Sequence, residues 1–170
     1  RQMCRRDSTY RTQRRGGRGV QGAMSKEEDF VEHLFIANTH NYMLFFTDKG
    51  KCYWLKVYDI PQGGRAARGR AIVNLIGCEP NEKVEAFVSV KDFDDKHYIV
   101  MCTKNGIVKK TVLSAYGNPR KGGIYAIDIR DNDKLIEARI TNGEHDILLG
   151  THEGKSIRFS ENNIRPSGRK

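Results

Sequence analysis

The sequence predicts an all-β protein built from propeller-like blades of four short antiparallel strands. The first observation is a weak repeat, because the pattern T-x-x-G occurs at residues 47–50, 103–106 and 151–154. The second is that each pattern lies between two short apolar runs, as in a β-hairpin whose glycine is left-handed. The third is the spacing, since successive patterns start about 50 residues apart, the length of a four-stranded blade.

Each predicted unit has a hairpin, then a basic loop with glycine, then two further strands. The expected strands of the second unit are 43–46, 52–57, 71–76 and 84–90, and those of the third are 99–102, 107–112, 124–129 and 135–140. The last unit has 147–150 and 156–159, and the first has 30–37. Helix has little support beyond one possible turn at 25–30. The alternative is an ordinary β-sandwich with unrelated hairpins.

These strands give about three blades with incomplete ends. The predicted divisions are a partial first blade at 1–37, a second at 38–93, a third at 94–141 and the start of a fourth at 142–170. The chain therefore reads as part of something longer.

Composition restricts the class of protein. Of the 170 residues, 38% are hydrophobic and 30% charged, which suits a soluble globular protein. No apolar run is long enough for a membrane span, and no secretory leader opens the chain, so we expect the cytoplasm. The four cysteines include no C-x-x-C pair, so we expect free thiols without zinc, three of them as small core side chains. These three are Cys52, Cys78 and Cys102.

Positive charge is concentrated at the start of the chain. The net charge is +9, and residues 1–22 contain seven arginines and one acid. Such a concentration favours nucleic acid or an anionic membrane. A membrane-binding helix would need an apolar face, whereas this segment is polar and interrupted by glycine. Nucleic acid is therefore the favoured partner.

Residues 13–19 form the motif Q-R-R-G-G-R-G, called the box below. Guanidinium groups bind phosphate oxygens in a bidentate fork, and glycines let the backbone N–H groups approach the same phosphates. The alternative is an Arg-Gly tail that binds RNA loosely, but such tails continue as low complexity and this run stops at residue 22. The box residues are Gln13, Arg14, Arg15, Gly16, Gly17, Arg18 and Gly19.

Basic residues recur at the position of the box in later units, and others lie on the second strand of a hairpin. If the blades surround a common axis, these side chains form a basic track that contacts the phosphates of a bent duplex. Scattered surface charge and protection of strand edges are the alternatives. The loop residues are Arg65, Arg68, Arg70, Arg120, Lys121 and Arg165, and the strand residues are Lys109, Lys110 and Arg158.

The sequence contains no recognisable catalytic centre. Asp92, Asp94 and Asp95 are its one carboxylate cluster, which reads as a solvated loop between strands rather than a metal site. The histidines lack metal-binding spacing, and neither a G-x-S-x-G turn nor a phosphate-binding P-loop is present. Tyr53 and Trp54 are interpreted as packing residues rather than as a platform for single strands.

With these residues in view, the chain resembles the C-terminal domain of bacterial DNA gyrase A subunits. The box looks like that family's signature motif, and it is followed by Glu-Glu-Asp-Phe at 27–30 and Ala-Asn-Thr-His at 37–40. Similarly specific stretches are 56–58, 67–70, 72–75 and 105–113. The resemblance implies a β-pinwheel of about six blades, of which about half are present, with strands exchanged between neighbouring blades.

The resemblance also implies a function. Double-stranded DNA would wrap around the basic rim, which would let the gyrase A subunit, with the gyrase B subunit in an A2B2 holoenzyme, introduce negative supercoils at the expense of ATP. It implies no cofactor in this region, because the cleaving tyrosine, the Mg²⁺ site and the ATP site lie elsewhere in that enzyme. A bacterial, nucleoid-associated location follows. The alternatives are a protein-docking scaffold and a DNA-bending accessory domain of a topoisomerase IV A-type subunit.

Overall fold

The computed structural model describes Cys4 and residues 11–19, 33–64, 67 and 69–169. This part of the chain contains nine β-strands and one short α-helix, with 3-10 turns at Val57–Asp59, Leu113–Tyr116 and Glu161–Asn163. Within it, no helix has the length and apolar character needed to cross a bilayer. In chain order the elements are β1 Tyr42–Thr47, β2 Lys51–Lys56, α1 Ile72–Ile76, β3 Val84–Val90, β4 Tyr98–Thr103, β5 Val108–Val112, β6 Ile124–Tyr125, β7 Leu135–Thr141, β8 Asp146–Gly150 and β9 Ser156–Ser160.

The strands form three antiparallel sheets. Their orders are β3-β1-β2-β6, β5-β4-β7 and β8-β9. In the first two sheets the leading strand of a hairpin, β1 or β4, is central because a later strand, β3 or β7, pairs along its other edge. The predicted all-β, blade-like architecture is therefore confirmed, whereas the predicted divisions between blades stay predictions.

The T-x-x-G patterns form three equivalent hairpin turns. In each, the glycine N–H donates to the threonine carbonyl at 2.9–3.0 Å, and the glycine φ is +76°, +85° or +78°. The threonine Oγ1 also accepts from the backbone N–H four residues later, at 3.1–3.3 Å. This is a hairpin loop with a left-handed glycine bulge, so the basis of the predicted repeat is confirmed.

A strand is exchanged between neighbouring units. β6 lies in the predicted third unit but pairs with β2 of the second, with Lys51 opposite Tyr125 and Cys52 opposite Ile124. Gly123 precedes this pairing with φ +71°, and a Cβ there would lie 2.8 Å from the Tyr53 ring. Such an approach admits only glycine. The exchange implied by the resemblance is thus present.

Two predicted strands are wrong in the described residues. The run 71–76 forms α1 instead, because Ile72 and Ile76, one helical turn apart, both pack into the core beneath it, and the helix ends at left-handed Gly77. Residues 33–37, the described part of the run 30–37, form no strand. Residues 1–32 contain no T-x-x-G pattern.

β1 is buried on both faces, and this places it between two cores. Leu44 and Phe46 point into one core with residues of β4 and β7, whereas Met43 and Phe45 point into a second core with α1. Residues on alternate faces of a strand can serve two layers in this way only when both faces are covered. The first two sheets therefore share one core, as neighbouring blades of a propeller do.

The cysteine thiols differ in how deeply they are buried. All four cysteines are free thiols. Cys52 is buried, and burial raises the pKa of its thiol. Cys78 and Cys102 are half-buried, and burial raises their pKa as well. Thiols of this kind are unreactive packing groups, as expected from the sequence.

Candidate nucleic-acid interface

The box forms an exposed turn. The Gly17 N–H donates to the Arg14 carbonyl at 3.1 Å, and Gly16, the third residue of the turn, has φ +80°. A positive φ at this position is the signature of a type II turn, which glycine accepts without strain. A Cβ on Gly17 would collide with the Gln13 side-chain amide. Because that amide is the end of an exposed, flexible side chain that can turn away, Gly16 is the one of these two glycines with a conformational reason to be glycine.

The arginines of the box are available to a ligand. Arg14, Arg15 and Arg18 are exposed, as is every residue of the described segment 11–19. Among the described residues, no ion pair engages any of the three. Exposed guanidinium groups without an acidic neighbour keep their full capacity for phosphate.

The later basic loops present their charges in a similar way. Arg70, Arg120, Lys121 and Arg165 are exposed, and they are called the rim residues below. The Arg120 carbonyl accepts from the Gly123 N–H at 2.9 Å, so this loop too is a closed turn. Arg65 and Arg68, which belong to the same prediction, lie outside the described residues.

Arg120 and Lys121 line a cavity of about 240 Å³ together with Tyr53, Trp54 and Leu75. The Trp54 indole N–H donates to the Tyr116 carbonyl at 2.9 Å, and the Tyr53 hydroxyl donates to Glu82 at 2.8 Å. Burial, together with that bond, raises the pKa of Tyr53 to about 12. Both aromatic residues are engaged in packing, as the sequence indicated.

The three strand residues differ from one another. Arg158 is exposed and paired with Asp146 through its Nε at 2.9 Å. Lys109 is half-buried, and desolvation lowers its pKa although Asp128 opposes this effect. Both retain some access to solvent.

Lys110 was predicted to contact DNA, but the structure places it inside the protein. Its side chain is buried, with Nζ 3.2 Å from a carboxylate oxygen of Glu161 and 4.3 Å from the centre of the Tyr98 ring. An ammonium group in this position is enclosed and its charge is paired with that of Glu161, so it cannot contact DNA without breaking the ion pair. The strand pattern could not show this, because Glu161 lies 51 residues further along the chain.

The carboxylate cluster has structural roles. Asp94 accepts from the backbone N–H groups of Lys96 and His97 and lies 2.8 Å from His97 Nδ1, and the bond to this ring lowers the pKa of Asp94. Asp95 accepts from the Ser114 hydroxyl. Among the residues that the structure describes, no three His, Cys, Asp or Glu side chains are grouped so that they could hold a metal ion.

The chain matches a known protein family along most of its length. The model of the family described as "DNA gyrase C-terminal domain, beta-propeller" matches residues 8–38, 41–91, 97–142 and 145–170. The chain belongs to this family. The resemblance read from the box and the repeats is thereby confirmed, and the match includes the box itself.

Two relatives show the extent of the similarity. The DNA gyrase A subunit of Clostridium acetobutylicum is 53% identical over 161 residues, which cover 95% of this chain and 19% of that protein. The corresponding gyrase protein of Haemophilus influenzae is 46% identical over 160 residues, covering 94% of this chain and 18% of that protein. The chain therefore spans about a fifth of the length of these relatives.

Two solved structures have the same fold. A C-terminal domain of DNA topoisomerase IV matches with a TM-score of 0.77 and 27% identity, over 88% of this chain and 46% of that one. A DNA gyrase A C-terminal domain matches with a TM-score of 0.65 and 20% identity, over 96% of this chain and 52% of that one. Both cover only about half of the solved chain, in agreement with the expectation of a partial pinwheel.

The sequence reading missed one group of residues near this surface. Glu161 is fully buried and connects Lys110, Thr141 and His145. A signal was available, because Glu161 follows the turn threonine of its hairpin at the same distance as the buried Val57 and Leu113 in the earlier units. An acid at an otherwise apolar repeat position indicates a buried polar contact.

Proposed function

We propose that this chain binds and wraps double-stranded DNA as part of a DNA gyrase A subunit. The observation that carries the proposal is the box, whose type II turn displays three exposed arginines free of acidic neighbours among the described residues. It supports the proposal because phosphate recognition needs guanidinium forks and a backbone that can approach closely.

The rim residues extend the contact beyond a single loop. They lie in the basic loops of three successive units, so a duplex that follows them bends around the stacked sheets. Such contacts go to phosphates and carry little sequence information, which suits wrapping of arbitrary DNA. Arg65 and Arg68 are proposed as further contacts from the loop of Arg70, with Lys109 and Arg158 as contacts on the strands.

The chemistry would take place elsewhere in the enzyme. In this proposal the chain holds DNA, while the rest of the A subunit, together with the B subunit of an A2B2 holoenzyme, cleaves, passes and reseals strands with Mg²⁺ and ATP. Wrapping would present one DNA segment to another with a defined crossing, so that strand passage yields negative supercoils. The enzyme would act on the chromosome in the bacterial cytoplasm, and the chain itself would use no cofactor.

Salt dependence of duplex binding tests the electrostatic part of the proposal. Each phosphate contact changes the slope of log K against log salt by about 0.9, so the seven contacts of the box arginines and the rim residues alone give a slope of about −6, and the further contacts make it steeper. Substituting all three box arginines with alanine should reduce the slope by about 2.7. A slope near zero, or one that these substitutions leave unchanged, would support a protein-docking scaffold instead.

In the holoenzyme the same triple variant separates wrapping from catalysis. We expect it to lose ATP-dependent supercoiling while retaining ATP-independent relaxation and DNA cleavage. Retention of normal supercoiling would remove the box from the mechanism. Loss of cleavage as well would indicate that the substitutions damage more than DNA wrapping.

A second candidate is DNA bending without a chiral wrap, as a domain of topoisomerase IV type. The observation that favours it is the match to a topoisomerase IV C-terminal domain, which has the higher TM-score of the two structures compared above. Both candidates predict salt-dependent binding. They differ in topology, because only a chiral wrap changes the linking number of a closed circle.

A further inference from the structure

Glu161 occupies a position that is apolar in the earlier units. Each hairpin is followed by a 3-10 turn, and the first residues of these turns are Val57, Leu113 and Glu161, all of them buried. Glu161 is fully enclosed. A carboxylate in such a place is unfavourable unless charge and hydrogen bonds compensate it.

The compensation comes from three different segments of the chain. Thr141 at the end of β7 donates its hydroxyl to Oε2 at 2.7 Å, and the His145 N–H donates to Oε1 at 2.7 Å. Lys110 of β5 forms the ion pair at 3.2 Å and also donates to the Glu161 carbonyl at 3.4 Å. Glu161 therefore joins β5, β7 and the loop that leads to β8.

The same residues hold the basic segment 165–169. The Glu161 carbonyl accepts from the Ile164 N–H at 3.1 Å, just before Arg165. The Lys110 carbonyl accepts from the Ser167 N–H at 2.9 Å, just after it. Arg165 is thus exposed on a short segment that is tied at both sides to the two members of one ion pair. The bond to the Lys110 carbonyl places the segment next to β5.

We propose that Glu161 and Lys110 are a positioning pair, which holds the segment 165–169 against β5 so that Arg165 faces bound DNA. This inference rests on the proposed DNA-wrapping function. Lys110 then contributes to DNA binding without touching DNA. Loss of either charge would leave its partner buried and unpaired, and the strand edge and the segment would separate.

The test compares two substitutions that change the net charge equally. Glu161→Gln breaks the pair, whereas Glu144→Gln alters an exposed glutamate in the loop before β8. Both make the protein more positive, which alone would strengthen DNA binding. We expect the control to bind duplex DNA as the wild type does or more tightly, and Glu161→Gln to bind more weakly in a gyrase holoenzyme that contains this chain.

Two readouts distinguish positioning from general stability. Hydrogen exchange should accelerate at least about tenfold in the peptide with the Ser167 amide, while the peptide with the turn of Gly154 in the β8–β9 hairpin exchanges as before. The salt slope of DNA binding should fall by about 0.9, the value for one phosphate contact, and Arg165→Ala should produce the same fall. Combining Glu161→Gln with Arg165→Ala should give no further change.

The outcomes separate this inference from the function on which it rests. If Arg165→Ala leaves the slope unchanged, Arg165 is not a DNA contact and both statements about it are wrong. If Arg165→Ala lowers the slope and Glu161→Gln does not, or if their effects add, the positioning role is wrong. Faster exchange throughout β8–β9 would also refute it.

If Glu161→Gln fails to fold, Thr141→Val replaces it, because it removes a hydrogen bond that holds the Glu161 carboxylate oxygen facing Lys110, and so weakens the pair without removing either charge. The same pattern of exchange, with a smaller acceleration at Ser167, is then expected. A uniform loss of protection would again overturn the inference.

Discussion

Gly16→Ala tests the geometry of the box at a single atom. Gly16 has φ +80°, and a Cβ there would meet nothing within 4 Å. The substitution therefore adds backbone strain without a steric collision and without a change in charge. The left-handed conformation costs a residue with a Cβ roughly 1–2 kcal/mol, so the type II turn should become the minor conformer of an exposed loop.

That strain sets the expected loss of affinity. If the free loop leaves the turn and DNA binding must restore it, the dissociation constant rises about 5- to 30-fold. The slope of affinity against salt stays unchanged, because the number of phosphate contacts is the same. Gly19→Ala is the control, since Gly19 lies in the same segment, has no left-handed φ and would place its Cβ away from all protein atoms, so Gly19→Ala adds the same methyl group to the box without backbone strain.

The assay is fluorescence anisotropy with a duplex long enough to follow the rim, repeated at several salt concentrations. Equal affinities of the Gly16→Ala and Gly19→Ala variants would refute the requirement for this turn. A change in the salt slope of Gly16→Ala would show that the substitution removes contacts rather than adding strain.

Three further predictions concern the packing of the units. Gly123→Ala should lower the free energy of unfolding in urea by about 2–4 kcal/mol, because it combines left-handed strain with a clash against the Tyr53 ring, whereas the control Gly122→Ala should change it by less than about 0.5 kcal/mol. Similar free energies of unfolding for the two variants would contradict the close approach of β6 to β2. Trp54→Phe should cost about 1 kcal/mol by removing the indole hydrogen bond, and an unchanged melting temperature would count against that bond. Burial raises the pKa of Glu161, but its hydrogen bonds and ion pair outweigh this effect and hold the pKa below its ordinary value of 4.5. The contribution of Glu161 to stability is therefore complete above that pH and is lost as the pH falls through the folded-state pKa. The melting temperature of Glu161→Gln should thus depend less on pH in that range than that of the wild type, and parallel plots of melting temperature against pH would contradict this.

The hairpins were predictable because their signal is local. Thr47 and Gly50 are three residues apart, and together they define the turn, its hydrogen bonds and its left-handed glycine. The run 71–76 was not predictable, since a short apolar stretch fits either a strand or a helix and only the burial of Ile72 and Ile76 on one side decides between them. Pairing of β6 with β2 likewise depends on partners about 70 residues apart.

The candidate interface shows the same limit. Charge and glycine content predicted an exposed turn at the box, because those properties belong to the segment itself. Lys110 was assigned to the interface because, like Lys109 and Arg158, it lies six or seven residues after a turn threonine, on the second strand of a hairpin. Its burial depends on Glu161, and only the packing of β5 against the following unit brings the two together. Distant ion pairs of this kind are invisible to a reading of neighbouring residues.

The most direct test of the central claim is topological. Relaxed circular plasmid is incubated with the protein, a nicking-closing topoisomerase is added, and the linking number is read on a gel. Chiral wrapping through the box predicts a positive shift that disappears when Arg14, Arg15 and Arg18 are replaced by alanine. DNA binding without a shift, or a shift that survives the triple substitution, would contradict the account.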